Sequence, residues 1–208
     1  MGWGKAVILI FGQIIVLLLL VPSQWMERVT EIENRWLTEQ MGSSSAAWVR
    51  EHSESIYVAS MVDSGLMQAT YNLLLPTREQ KAQSGAMANV GTRNVFPYVR
   101  DRLNTTFLVI YQSIARAVTM AAWAPFAALL LLPAIIDGVI AWRIRKTTFD
   151  FASPTANHYA LLGISILTTA MIVTLLAPWP IPPLIIPVAI LVLCPALYIA
   201  VSHTSKRI

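Results

Sequence analysis

Four apolar runs constrain this chain more than any motif does: Ala6–Val21, Val118–Trp142, Tyr159–Ala177 and Ile181–Val201. A hydrocarbon layer is crossed by roughly 20 residues of helix. Inside lipid each backbone N–H and C=O must be paired within its own segment, so runs of this kind are expected to be helices. The expected fold class is therefore all-α. It is a polytopic membrane protein with four transmembrane helices and a helical extramembrane domain between the first and second. A hydrophobic share of 56% is well above that of an ordinary soluble domain and agrees with this reading.

The charges say which way the helices run. Lys5, then Arg143, Arg145 and Lys146, then Lys206 and Arg207 fall in three short segments outside the runs, offset there only by Asp150. The long segment from Pro22 to Ala117 holds nine Lys or Arg and nine Asp or Glu and is neutral. The positive-inside rule then puts both termini and the loop around 143–158 in the cytoplasm of a bacterial inner membrane, with the neutral segment on the other side. An even number of spans agrees with that placement. The expected layout is a first transmembrane helix at 1–25, a periplasmic helical domain at 26–116, a second transmembrane helix at 117–142 and a basic loop at 143–158. A hairpin of two more transmembrane helices follows at 159–201, and a tail at 202–208. The first run is read as an uncleaved signal anchor, because Val21-Pro22-Ser23-Gln24-Trp25 offers no small-x-small cleavage site.

Between the runs the pattern is helical. Trp25, Val29, Ile32 and Trp36 recur at helical spacing with charges between them, which predicts an amphipathic helix from Trp25 to Gln40. Gly42 to Ser45 predicts a break, with Ser45 capping a helix from Ala46. Tyr71 to Leu75 is too short to span and is expected to pack inside the domain. Thr77 to Met87 has helical propensity, Asn89–Gly91 looks like a turn, and the chain reads as helical again from Pro97. Pro125 and Pro133 are expected to kink the second span without ending it, and Pro187 and Pro195 to bend the last. Pro178-Trp179-Pro180-Ile181-Pro182-Pro183 predicts a stiff turn that stops the helices on either side. No internal repeat of the kind found in inverted-repeat transporters stands out.

Candidate functional residues are few. Asp137 lies within a span, where an acid is expensive and needs a partner or a wet cavity. The expected partner is Arg143, Arg145 or a neighbouring helix, and an ion pathway is the competing reading. Gln13 is the other polar residue within a span, and an interhelical hydrogen bond is its expected role. Arg116, the one charge between Arg102 and Asp137, is expected near the outer interface with its head snorkelling to water. Arg143, Arg145 and Lys146 form a basic cluster suited to anionic lipid or a docked partner. Three charges neutralise too little phosphate backbone for direct nucleic-acid binding. His158 stands at the next interface. The lone Cys194 excludes an internal disulfide, and no metal, cofactor or nucleophile motif is present, so no catalytic residue, cofactor or metal ligand is assigned.

At Ile136-Asp137-Gly138, Arg143-x-Arg145-Lys146, Phe151, Ser153-Pro154 and His158 the chain resembles a known group. These are the small inner-membrane proteins of conjugative plasmids and integrating conjugative elements, encoded near the type IV coupling-protein ATPase. The family's basic loop falls on Arg143, Arg145 and Lys146, its serine-rich element on Ser153, and its histidine before span three on His158. The resemblance implies a noncatalytic accessory or assembly role in type IV secretion-linked conjugation. The implied partners are the coupling-protein ATPase and other membrane subunits of the secretion channel, with anionic lipid at the basic loop. A homo-oligomer is compatible with it. The competing functions are an exclusion protein that bars a redundant plasmid, a transporter or channel component, and a membrane enzyme.

Overall fold

The computed structural model describes Gly12 and residues 21–75, 88–148 and 153–204, with the side chains of 88–95 excepted. The expected first span and Gln13 lie outside the described residues. Among those described there are seven α-helices and no strand: α1 (Ser23–Met41), α2 (Ser43–Tyr57), α3 (Leu66–Leu74), α4 (Ala88–Ala122), α5 (Ala124–Thr147), α6 (Pro154–Leu175) and α7 (Ile185–Ser202). A π-helical segment, Val58–Asp63, continues α2 toward α3.

Three of these helices are long and apolar enough to cross a membrane: α5 with 24 residues, α6 with 22 and α7 with 18. The described residues are thus all-helical and consistent with a membrane protein. Three spans, where four were expected, are found among the described residues. They stand in a row. α5 packs on α7 and α7 on α6, so the middle helix buries Ile186, Ala189, Ile190, Ala200 and Ser202, whereas α5 buries only Gly138 and α6 only Ala160. Leu129, Leu132, Ile136, Ile140 and Ile144 of α5 point outward along one stripe. An apolar stripe of that length open to the surroundings suits lipid and is foreign to water. Gly138 lets α5 and α7 approach closely. A Cβ built there would lie 3.0 Å from Val201 Cβ and 3.2 Å from the Tyr198 carbonyl oxygen.

The remaining helices form a bundle at the end of this row where α6 turns into α7. α1 and α2 both pack on α4. Leu37, Ala46, Val49 and Val118 form one core cluster, and Val21 and Met26 form another with Leu108, Val109 and Leu176 at its edge. The amphipathic helix expected from Trp25 is α1, yet its buried residues are Met26, Val29 and Leu37, while Trp25 is exposed.

Several local expectations are corrected. The second span does not begin at 117: Val118 to Ala122 complete α4, and the helix breaks at Trp123. Pro125 therefore terminates a helix where a kink was expected. It has no N–H for the Ala121 carbonyl, and its ring crowds that oxygen. Pro133 lies inside α5 and Pro195 inside α7, and neither ends its helix. Pro187 falls in the first turn of α7, where a missing N–H costs nothing. Helix α2 starts at Ser43 with Gly42 before it at φ 82° and no side-chain cap, so Ser45 is not the cap. Asn89–Gly91 is helical and opens α4, and Pro97 sits inside that helix. Leu73 and Leu74 are 84% and 48% exposed and do not pack inside the domain. Residues 77–87 lie outside the described residues.

Candidate functional site

Among the described residues, the most heavily bonded polar side chains sit where this bundle meets the row of apolar helices. Glu33 stands on α1 between Val29 and Leu37, on the face that α1 turns toward α4. Arg116 stands on α4 and is itself buried. The Arg116 Nη2 donates to Glu33 Oε1 at 2.6 Å, with side-chain exposures of 8% and 12%, and Nε donates to both carboxylate oxygens at 3.2 Å. This is a two-point guanidinium–carboxylate contact of the kind that fixes orientation as well as charge.

The prolines supply the rest of the site. Helix α6 ends at Leu175 and the chain passes through Pro178, Pro180, Pro182 and Pro183, which withdraw donors and leave carbonyls unpaired. Arg116 Nη1 donates to the carbonyls of Thr174 at 2.6 Å, Leu175 at 3.3 Å and Ala177 at 2.8 Å, and Nη2 to that of Trp179 at 2.9 Å. A cation at a helix C-terminus also complements the helix dipole. Glu33 Oε1 accepts the Ile181 N–H at 2.8 Å, and Gln112 donates to Glu33 Oε2 while accepting from Thr30 at 3.0 Å. Further contacts run along the same seam. Ser113 donates to the Leu175 carbonyl, Trp25 Nε1 to the Pro178 carbonyl at 2.6 Å, and the Leu184 N–H to Gln40 at 3.0 Å. The turn between α6 and α7 is thereby stapled to α1 and α4. A cavity of about 50 Å³ beside Glu33 and Arg116 has room for a few water molecules.

Arg116 was expected to snorkel and instead is enclosed. Glu33, Gln112, Thr30 and Ser113 were not singled out from the sequence. The available signal was an acid inside the apolar stripe Met26, Val29, Leu37, together with a lone cation in an otherwise uncharged stretch of opposite sign.

The other described candidates, Asp137, Arg143, Arg145, Lys146 and His158, lie at the far end of the row and do not converge. Asp137 is exposed on α5, beside the inward-facing Gly138, and has no ion-pair partner among the described residues. A pairing with Arg143 or Arg145 is not found among the described residues. Arg145 is half-buried and donates to the Ser202 carbonyl at 3.2 Å, closing the end of α5 onto α7. Lys146 Nζ lies 3.9 Å from the centre of the Trp142 ring, and Arg143 is exposed. His158 is exposed on the first turn of α6, edge-on to Tyr159 at 5.8 Å. Ser153 caps α6 by accepting the Ala156 N–H at 3.3 Å, and Pro154 opens the helix. This end presents Arg143, Lys146 and His158 outward and uses Arg145, Asn157 and Ser153 to hold its own shape.

Comparison with known proteins gives one match. A family model described as "IncC plasmid conjugative DNA transfer protein DtrJ-like" matches residues 24–207. No curated protein and no solved structure matches the chain.

Proposed function

This chain belongs to the DtrJ-like family of conjugative DNA transfer proteins, and from that premise we propose that it is a noncatalytic accessory or assembly protein of a conjugative type IV secretion system. It acts in the bacterial inner membrane by contacting the coupling-protein ATPase and neighbouring channel subunits. The match over residues 24–207 carries the reading, since it spans both the outer bundle and the membrane row. The structure supports it in a second way. Helices α5 and α6 bury one residue each and leave long apolar faces that the transmembrane helices of another protein can cover.

On this reading the neutral outer bundle is periplasmic and the Arg143, Lys146 and His158 end is cytoplasmic. There it meets anionic headgroups or the membrane-proximal part of the ATPase. Arg116 and Glu33 have a structural part: they set the angle at which the outer bundle stands on the spans.

The test joins two measurements. The tagged chain is purified in mild detergent from cells carrying the transfer genes, and its co-purifying membrane subunits are identified. Its gene is then deleted in donor or recipient. Recovery of the coupling ATPase with loss of transfer from the deleted donor is expected. A chain that migrates alone, with transfer intact, refutes the proposal. Loss of protection in the deleted recipient would assign exclusion instead.

A further inference from the structure

A second cleft, of about 600 Å³, opens in the same bundle, with Tyr111 shared between it and the Glu33–Arg116 cavity. Its walls come from four elements. Tyr111, Phe107 and Asn104 belong to α4, Tyr71 and Met67 to α3, Tyr57 and Glu54 to α2, and Glu27 to α1. The rings are ordered against one another. Tyr71 stacks on Phe107 at 5.6 Å with its hydroxyl donating to Asn104 at 2.5 Å, and Tyr57 meets Tyr111 edge-on at 5.5 Å. The π-helical turn Val58–Asp63 borders the cleft, and π segments recur at functional sites because they displace side chains from their regular register.

The charged side chains that line the cleft are carboxylates, with the Arg50 cation acting on Tyr111 from outside the lining. Glu27 and Glu54 are its ionisable carboxylates, both exposed, and neither has an ion-pair partner among the described residues. Burial first, and the Glu54 carboxylate second, push the Tyr111 hydroxyl above its ordinary pKa, against the opposing pull of the Arg50 guanidinium. Leu66, Leu73 and Leu74 of the neighbouring α3 stand exposed. Aromatic faces bind cations through their quadrupoles, and carboxylates at the mouth add attraction of the same sense.

We propose that this cleft is a docking site for a basic, apolar-flanked segment of another polypeptide, with an Arg or Lys side chain laid over the tyrosines between Glu27 and Glu54. The leucines of α3 would take the flanking apolar side chains. The site is separate from the membrane faces, and its test needs no coupling ATPase.

The full chain in lipid nanodiscs is titrated with a fluorescein-labelled peptide of alternating leucine and arginine, and anisotropy is followed. The same peptide with citrulline in place of arginine keeps shape and removes charge. Saturable binding is expected. It should weaken at least about fivefold with citrulline, and by a similar factor in Glu27→Gln/Glu54→Gln, whose exposed positions leave folding intact. Circular dichroism of the variant checks that. The proposal is overturned by absence of saturable binding, by equal affinity for the citrulline peptide, or by an unchanged affinity of the double variant. Competition by choline at comparable concentration would assign the cleft to lipid headgroups and overturn it too. So would an affinity that rises in Arg78→Ala/Lys81→Ala, since the occupant would then be this chain's own basic segment.

Discussion

Replacing Arg116 by methionine removes the charge while keeping an unbranched apolar stem, and it isolates what the seam contributes. Glu33 would be left as a carboxylate only 12% exposed with its cation gone. The carbonyls of Thr174, Leu175, Ala177 and Trp179 would lose their shared donor. Removing one partner of a buried ion pair costs about 3–5 kcal/mol. The adjacent cavity admits water, which can re-bond some of the carbonyls, so the lower end is the working figure. For a chain of this size about 3 kcal/mol corresponds to a drop of roughly 6–12 °C in Tm. Tryptophan fluorescence on heating reads it directly in detergent, because Trp25 is bonded to Pro178 within the seam. The double variant Glu33→Leu/Arg116→Met separates two explanations. A pair that serves only itself can be replaced by apolar residues at little cost. Here the Ile181 N–H and four carbonyls also depend on it, so the double variant should recover no more than about half of the loss. An Arg116→Met protein melting within about 1 °C of the parent would refute the reasoning. A double variant as stable as the parent would refute the capping part alone.

Gly138→Ala should destabilise by about 1–3 kcal/mol, because its Cβ meets Val201 and a backbone oxygen that cannot yield cheaply. Gly163→Ala on α6, where a Cβ meets nothing within 4 Å, should be neutral or slightly stabilising in the same melting assay. Tyr57 and Tyr111 have raised pKa values, burial being the larger cause for each. Raised pKa values in the folded state mean that it holds these protons more tightly. Their contribution is fully present below the ordinary tyrosine value of 10.0 and is lost as pH rises through the folded values. Ultraviolet titration of phenolate should show both ionising late, and Tyr111→Phe should remove one late step. Charge reversal at the far end, in Arg143→Glu/Lys146→Glu, should leave Tm nearly unchanged and lower transfer frequency in a mating assay. Unaltered transfer with normal membrane levels would remove these two residues from the proposed contact.

The apolar runs by themselves pointed to helix, because hydrocarbon leaves the backbone no other way to pair its polar groups, and three of the four runs read as spans are long apolar helices among the described residues. The amphipathic α1 and the Pro178–Pro183 turn were equally legible, since each follows from local residue chemistry. What tertiary structure alone decided was which polar residues meet. Glu33 and Arg116 are 83 positions apart, and no spacing rule links them until α1 and α4 lie side by side. The exposure of Leu73 likewise depends on what packs nearby, and it is Gly138, not the conspicuous Asp137 beside it, that faces α7.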